Sequence, residues 1–260
     1  MCYDVSFAVE IKQLSDYFPD LIWDDQIKIN FEHSVHIMGH AYGEHPIIYV
    51  NRDDQKFHCK LMEWGCIPFY VKDEKAFAMR RKTMLNAKSE RILDDKDSYW
   101  YKIKNRRCLI PVTGFYEHRK SKNYKSNKIP YHIQLKQQPL FFIPGLYSVA
   151  ELPDKETGEL KKRWTYTVVT RNANPLMAAI HNDGDNAGRM PLLVPFSYAV
   201  NWLNEELTEE GYRQILNYEM PSEELEYKTV WTIRSNKVRP DNKTKNEYFE
   251  WENLEELDII

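Results

Sequence analysis

The alternation of apolar and polar positions predicts that this chain is built mostly from β-strands. The segments with strand character are 58–65, 106–111, 131–135, 140–149, 164–170 and 227–233. From Ile27 to Val50 the pattern is also strand-like, although Gly39, Gly43 and Pro46 interrupt it. The polar stretch 151–163 predicts an exposed loop between two of the strands.

Apolar residues spaced three and four apart predict a smaller number of helices. Phe7, Ile11, Leu14 and Phe18 have this spacing and predict an amphipathic helix over 3–18, which ends at Pro19. Further short helices are predicted at 97–104, 174–180, 198–204 and 209–217, the last two after the capping residues Ser197 and Thr208. Because strands dominate and helices do not alternate with them, we expect one α+β domain around a mostly antiparallel sheet.

Composition and charge narrow the possible classes of protein. The chain has 260 residues, of which 42% are hydrophobic and 29% charged, as in ordinary globular proteins. Its net charge of −3 means that any nucleic acid would bind to a local basic patch. We find no secretory signal and no membrane-spanning stretch. A glycine-rich phosphate loop and a metal-binding motif are also lacking, so we expect neither cofactor nor metal.

The cysteines favour a reduced, cytoplasmic setting, and one of them has special chemistry. The four lie at 2, 59, 66 and 108 without C-x-x-C spacing, which suits neither a disulfide framework nor a zinc site. Removal of Met1 would leave Cys2 with an α-amine and a thiol on adjacent carbons, of pKa about 7.7–8.0 and about 8.5. Such a pair can attack one aldehyde, the amine giving a Schiff base and the thiol closing a thiazolidine ring. Position alone favours the plainer explanation that Cys2 is an ordinary small residue.

Short motifs along the chain favour a chemical role for Cys2. In order they are Met1-Cys2, Trp64 to Pro68, Asn86 to Glu90, Arg107 to Pro111, Gly114 to Glu117, Thr170 with Asn174, Ile180-His181 and Arg189 to Pro191. The sequence resembles the SRAP family (SOS-response-associated peptidase), which crosslinks abasic sites in DNA. The resemblance covers residues 1 to about 195, and 196–260 would complete the domain with helices and a strand. It implies a barrel-like sheet with peripheral helices.

The resemblance also implies a function and four catalytic residues. The protein would bind single-stranded DNA as a monomer and capture the aldehyde of an abasic site on Cys2, a lyase-type activity in the DNA damage response. Glu117 would assist opening of the sugar ring, and His181 would transfer protons and help to reverse the link. Asn86 would hold a sugar hydroxyl or the terminal amine. Without the resemblance, the three would be an ordinary surface glutamate, a helix-end histidine and a turn asparagine.

The residue types themselves are suited to these roles. Glu117 follows an apolar strand beside Phe115 and Tyr116, surroundings that raise the pKa of a carboxyl group toward neutrality. His181 follows a short apolar helix and precedes the glycine-containing loop 182–188. An imidazole there could both donate and accept protons.

DNA contacts are predicted from cationic and aromatic side chains near these motifs. Arg80, Arg81, Lys88, Arg91 and Arg189 are candidates for phosphate contacts. Aromatic rings stack on bases, which makes Trp64, Phe69 and Tyr70 further candidates, and Thr170 belongs to the same predicted surface. Trp64 is equally suited to anchoring the core.

The chain departs from the family pattern in several places, and two other functions stay open. The family usually begins Cys-Gly-Arg, whereas Tyr3 and Asp4 follow the cysteine here, and His118 stands where a tryptophan is common. The spacer between His181 and Arg189 is also longer than usual. One alternative is a cysteine peptidase with Cys2 as thiol nucleophile. The other is a non-covalent nucleic-acid-binding or protein-binding domain that has lost its chemistry.

Overall fold

Two β-sheets form the framework of the protein. The computed structural model describes residues 2–24, 31–124, 128–154, 157–235 and 237–259. Within these ranges the strands are β1 (Asp4–Phe7), β2 (Ile22–Trp23), β3 (Ser34–Met38), β4 (Glu44–Val50), β5 (Phe57–Trp64), β6 (Asn86–Lys88), β7 (Arg107–Val112), β8 (Gly114–Lys120), β9 (Lys128–Leu135), β10 (Phe141–Pro153), β11 (Leu160–Asn172), β12 (Arg189–Pro191) and β13 (Leu225–Thr229).

The larger sheet closes on itself into a barrel. Strands β11, β10, β7, β4 and β5 are hydrogen-bonded in that order, and β5 also pairs in parallel with β11 through Thr165 opposite Glu63 and Tyr166 opposite Trp64. The neighbouring pairs within this ring, from β11 through β5, are antiparallel. Strand β2 pairs with β5, and β6 and β12 pair with β11. The predicted α+β class with a mostly antiparallel, barrel-like sheet is therefore confirmed.

The smaller sheet places the amino terminus beside the predicted catalytic glutamate. Its order is β13-β9-β8-β1-β3, so β1 lies between β8 and β3. Asp4 is opposite Tyr116 and Val5 is opposite Phe115 in the antiparallel register of β1 and β8. The chain just after Cys2 therefore runs alongside Glu117, the residue that follows Tyr116.

Seven short helices accompany the sheets in the described part of the chain. They are α1 (Leu14–Tyr17), α2 (Glu74–Arg81), α3 (Glu90–Leu93), α4 (Tyr99–Lys102), α5 (Pro175–Ile180), α6 (Phe196–Trp202) and α7 (Glu209–Leu216). The side chain of Asn174 caps α5 by accepting from the Met177 amide, and Thr208 caps α7 by accepting from the Gly211 amide. The helices predicted at 174–180 and 209–217 are thus confirmed. None of the described helices is long and apolar enough to cross a membrane.

Two predictions of local structure were wrong. The expected helix over 3–18 begins instead with β1, in which all four residues are buried, and only Leu14–Tyr17 is α-helical. Asp4 and Ser6 are buried and hydrogen-bonded to His36 and His132, so polarity along β1 does not mark a solvent face. The expected loop 151–163 is largely strand, since β10 and β11 continue as a hairpin that pairs Glu151 with Lys162.

Cys2 lies inside one of the two large apolar clusters. Its side chain is fully buried and belongs to the cluster that contains Trp64, Tyr166 and Ile180. The other cluster packs α6 and α7 against the barrel, with Trp202 donating from Nε1 to the carbonyl oxygens of Cys108 and Gly145. The sulfur at the amino terminus is therefore a core atom in this fold.

Candidate active site

A cleft of about 390 Å³ opens where β1, β8 and the loop after α5 meet. Its lining residues are Tyr3, Asp4, Glu117, His118, Lys128, His181, Asp183, Gly184, Asp185, Asn186 and Arg234. The structure therefore brings Glu117 and His181 together, as the sequence motifs predicted, and puts the two residues after Cys2 into the same wall.

The thiol of Cys2 is enclosed next to this cleft. Its Sγ donates a hydrogen bond to the carbonyl oxygen of Asp4 at 3.6 Å. Burial raises the pKa of the Cys2 thiol well above its ordinary value, and the nearby carboxyl groups of Glu117 and Asp4 raise it further. The sulfur is consequently a neutral thiol at neutral pH. Met1 lies outside the described residues.

Glu117 is a carboxylic acid held in its protonated form. It lies within β8 rather than at a strand end, and its side chain is 5% exposed. Burial raises the pKa of Glu117 to about 8, with a further contribution from the charge of Asp4. At neutral pH most molecules therefore carry a proton on this group, which can be donated to a substrate oxygen.

His181 is the complementary base. At the end of α5 its backbone amide donates to the Met177 carbonyl oxygen. Its ring Nδ1 lies 2.8 Å from the carbonyl oxygen of Arg189. Because a carbonyl only accepts, Nδ1 must carry the proton, which leaves the lone pair on Nε2. That Nε2 lies 3.7 Å from Oε2 of Glu117. Burial lowers the pKa of His181 to about 4, so the two groups form a neutral acid–base pair.

A buried carboxylate holds a cation in the wall of the cleft. Asp4 is 1% exposed and accepts hydrogen bonds from His36 Nε2 at 2.7 Å and from Arg234. Burial alone would raise the pKa of Asp4, but these two partners outweigh it and the pKa lies below its ordinary value. Sequence reasoning missed Arg234. The sequence contains one indication that a cation is needed here: Asp4 stands where the family usually has an arginine.

Asn86 lies in β6 beside the barrel strand β11 and does not line the cleft. It is 5% exposed and pairs with Val168, and its neighbour Leu85 belongs to the same apolar cluster as Cys2. Among the described residues no partner bonds to its side-chain Oδ1 or Nδ2. A buried amide without partners is unfavourable for stability, which is compatible with a role in binding.

The predicted DNA contacts divide into two groups. Arg80, Lys88 and Arg91 are exposed, and so are the rings of Phe69 and Tyr70, which are 44% and 52% accessible. Arg91 also forms an ion pair with Asp95 at 2.8 Å. These side chains are open to solvent and remain candidates for that role.

The other four have interior contacts in place of an open surface. Arg81 donates to the Gly65 carbonyl oxygen and to two glutamates, and Arg189 binds Glu90 and the Thr170 carbonyl oxygen. Thr170 is fully buried, and Trp64 stacks on Tyr166 while its Nε1 donates to the Leu85 carbonyl oxygen. The structure thus gives this group, Trp64 included, contacts that stabilise the fold.

We find no arrangement for a metal in the described ranges. No group of three or more histidine, cysteine or acidic side chains is placed to hold an ion there. Cys59, Cys66 and Cys108 are buried and form no disulfide.

Fold and site together define a class: β-barrel proteins in which a cysteine next to the amino terminus lies beside a buried carboxyl–imidazole pair. The family model for SRAP, SOS response associated peptidase, matches residues 1–236. The chain therefore belongs to the SRAP family.

Individual relatives agree with this assignment. The chain is 31% identical over 180 residues to the abasic site processing protein YoqW of Bacillus subtilis, an alignment that covers 69% of this chain and 72% of that protein. It is 26% identical over 196 residues to the abasic site processing protein HMCES of Gallus gallus, covering 69% and 54%. A solved structure from Bacteroides thetaiotaomicron superposes with a TM-score of 0.75 at 26% identity, covering 95% of this chain and 97% of that one.

Proposed function

We propose that this protein, once Met1 has been removed, captures abasic sites in single-stranded DNA as a thiazolidine on Cys2. The observation that carries the proposal is the neutral pair of Glu117 and His181 beside the Cys2 thiol. The names of its relatives as abasic site processing proteins support the choice of substrate.

The pair supplies the proton transfers that the reaction needs. As the abasic sugar opens, Glu117 protonates the ring oxygen while His181 accepts the proton of the anomeric hydroxyl, which leaves an aldehyde. The α-amine of Cys2 then adds to the aldehyde carbon, and loss of one water gives a Schiff base. Glu117, now a carboxylate, can accept the thiol proton as Sγ adds to the imine carbon, and His181, now an imidazolium, gives its proton to the imine nitrogen as the ring closes.

A peptidase activity of Cys2 is the less favourable alternative. A cysteine peptidase attacks with a thiolate, which requires a lowered thiol pKa. Burial and two nearby carboxyl groups raise the pKa of this thiol instead. A neutral thiol is adequate in the proposed capture, because the amine makes the first attack and the thiol adds to an activated imine.

The test uses a single-stranded oligonucleotide treated with uracil glycosylase and the intact mass of the protein. Wild type lacking Met1 should gain the mass of the oligonucleotide less one water, and Cys2→Ala should form no stable adduct. Cys59→Ala, which also removes a buried thiol, is the matched control and should react like wild type.

A second variant separates the amine from the sulfur. Cys2→Ser keeps the α-amine, so borohydride should trap its Schiff base although no adduct survives without reduction. A stable adduct in Cys2→Ala, or none in wild type whose Met1 has been removed, would rule out the mechanism. Release of a peptide with no DNA adduct would favour the peptidase.

A further inference from the structure

Arg234 presents part of its guanidinium group to the cleft while another part is anchored. Its Nη2 lies 2.5 Å from Asp4 Oδ2, and its Nε lies 3.1 Å and 3.2 Å from the two carboxylate oxygens. The Asp4 side chain is 2% exposed, whereas that of Arg234 is 44% exposed. The ion pair is therefore oriented with its negative end in the protein and its positive end at the cleft.

Hydrogen-bond donors remain on the outward side of this group. A guanidinium carries five N–H bonds, and Asp4 engages only the edge formed by Nε and Nη2. Within the described ranges no protein acceptor bonds to Nη1. A planar group with such donors is suited to two oxygens of a phosphate.

The backbone around Arg234 is fixed from both sides. Ile233 is buried against Tyr116 and Val230, and Tyr116 immediately precedes Glu117 in β8. The ammonium group of Lys245 donates to the carbonyl oxygens of Ile233 at 3.3 Å and Ser235 at 2.5 Å. The guanidinium is thus preorganised, which reduces the entropy lost when it binds a ligand.

The rest of the cleft leaves few positions for a phosphate. Lys128, on another part of the wall, forms an ion pair with Asp183 at 2.8 Å, and Asp185 adds a second carboxylate nearby. A polyanion is repelled by those side chains and attracted to the positive end of the Asp4–Arg234 pair.

We propose that Arg234, anchored on Asp4, binds a backbone phosphate of the DNA strand whose abasic sugar enters the cleft. This inference rests on the proposed function for the identity of the strand. Arg234 would be a binding residue and take no part in the proton transfers of Glu117 and His181.

The experiment compares Arg234→Gln with Arg213→Gln as a matched control. Arg213, on α7, is 43% exposed and also pairs with carboxylates, those of Asp94 and Glu209. Fluorescence anisotropy measures the binding of each variant and wild type to an intact single-stranded oligonucleotide at several salt concentrations. Adduct formation is timed separately with saturating abasic oligonucleotide.

We expect Arg234→Gln to weaken binding about fivefold at low salt. The slope of log K against log salt should fall by about 0.7, the value for one phosphate contact on a single strand. The deciding measurement is binding to the intact strand, because Arg234 also lies in the wall of the cleft that holds Glu117. Arg234→Lys, which keeps the charge but not the planar group, should recover most of the slope. Arg213→Gln should bind like wild type.

Three outcomes overturn the inference: unchanged affinity and slope in Arg234→Gln, an equal loss in Arg213→Gln, or a slower reaction at saturation with unchanged binding. The last would make Arg234 a positioning residue for the amino terminus. If wild type binds DNA through Arg234 but forms no adduct, the proposed function fails and the phosphate site stands. If wild type forms the adduct and Arg234→Gln binds normally, the reverse holds.

Discussion

Burial acts on Glu117 and His181 in opposite directions, and this gives the site its chemistry. Removal from water penalises whichever form is charged, so the pKa of the carboxyl rises to about 8 and that of the imidazole falls to about 4. Between these values both groups are neutral, one with a proton to give and the other with a lone pair to receive one. An exposed glutamate would be ionised at neutral pH and would have no proton to donate.

The same burial makes stability depend on pH. The folded pKa of Glu117 is raised above its ordinary 4.5, so its contribution is intact below about pH 4.5 and is lost as the pH rises to about 8. Glu117→Gln cannot ionise. We therefore expect wild type to lose about 3–4 kcal/mol of unfolding free energy relative to Glu117→Gln between pH 5 and pH 8.

Urea unfolding at several pH values measures this difference. Glu226→Gln, which removes an exposed carboxyl in β13, is the control and should follow the wild-type profile. Parallel profiles for wild type and Glu117→Gln would mean that the carboxyl is ionised in the folded protein, and the proton donor would have to be another group.

At the scale of elements, the barrel strands pack so closely around Gly145 that no side chain fits there. A Cβ atom at Gly145 in β10 would lie 2.3 Å from Ile110 Cδ1 and 2.7 Å from the Thr167 carbonyl oxygen, on the strands at either side. Gly145→Ala should therefore cost about 2–3 kcal/mol of stability. Gly43→Ala is the control, since nothing lies within 4 Å of its Cβ position. Equal melting temperatures of the two variants would contradict this account.

Elements whose pattern is contained within one segment could be predicted from the sequence. The strand at 164–170 and the helix capped by Asn174 are of this kind, because β-branched residues and an N-cap act locally. The strand β1 could not, because the spacing from Phe7 to Phe18 runs across two elements and Asp4 is buried by distant partners.

In the candidate site, too, contacts between distant segments could not be predicted from local patterns. The meeting of Glu117 with His181 was predicted through a family resemblance, whose motifs carry long-range information that no single segment contains. The pairing of Asp4 with Arg234, which are 230 positions apart, has no local signal. The chemical groups of the cleft were thus predictable, and the cation in its wall was not.

At the scale of the whole molecule, the carboxyl-terminal segment fastens the smaller sheet. Arg119 in β8 donates to the carbonyl oxygens of Glu255 and Glu256, each at 2.7 Å. Trp251 stacks on Trp231 with 5.7 Å between ring centroids, and its Nε1 donates to the Val230 carbonyl oxygen at 3.0 Å. The segment thereby supports the stretch that carries Arg234.

Loss of the Trp251 ring should lower the stability of the protein. We expect Trp251→Ala to lower the unfolding free energy by about 2 kcal/mol, less than for a fully enclosed tryptophan. Tyr248→Ala, which removes an aromatic ring that is 59% exposed in the same segment, should change stability little. Denaturant unfolding of both variants measures the difference, and an equal loss in the two would show that the segment does not fasten the sheet through Trp251.

The enclosure of the Cys2 sulfur has a consequence for its chemical durability. Peroxides and alkylating agents react with exposed thiolates, and this thiol is neither exposed nor readily ionised. The protein should consequently stay reduced in air without added reductant and resist iodoacetamide while it is folded. The Cys2 thiol would then react only with the imine carbon that the α-amine of the same residue has already bound.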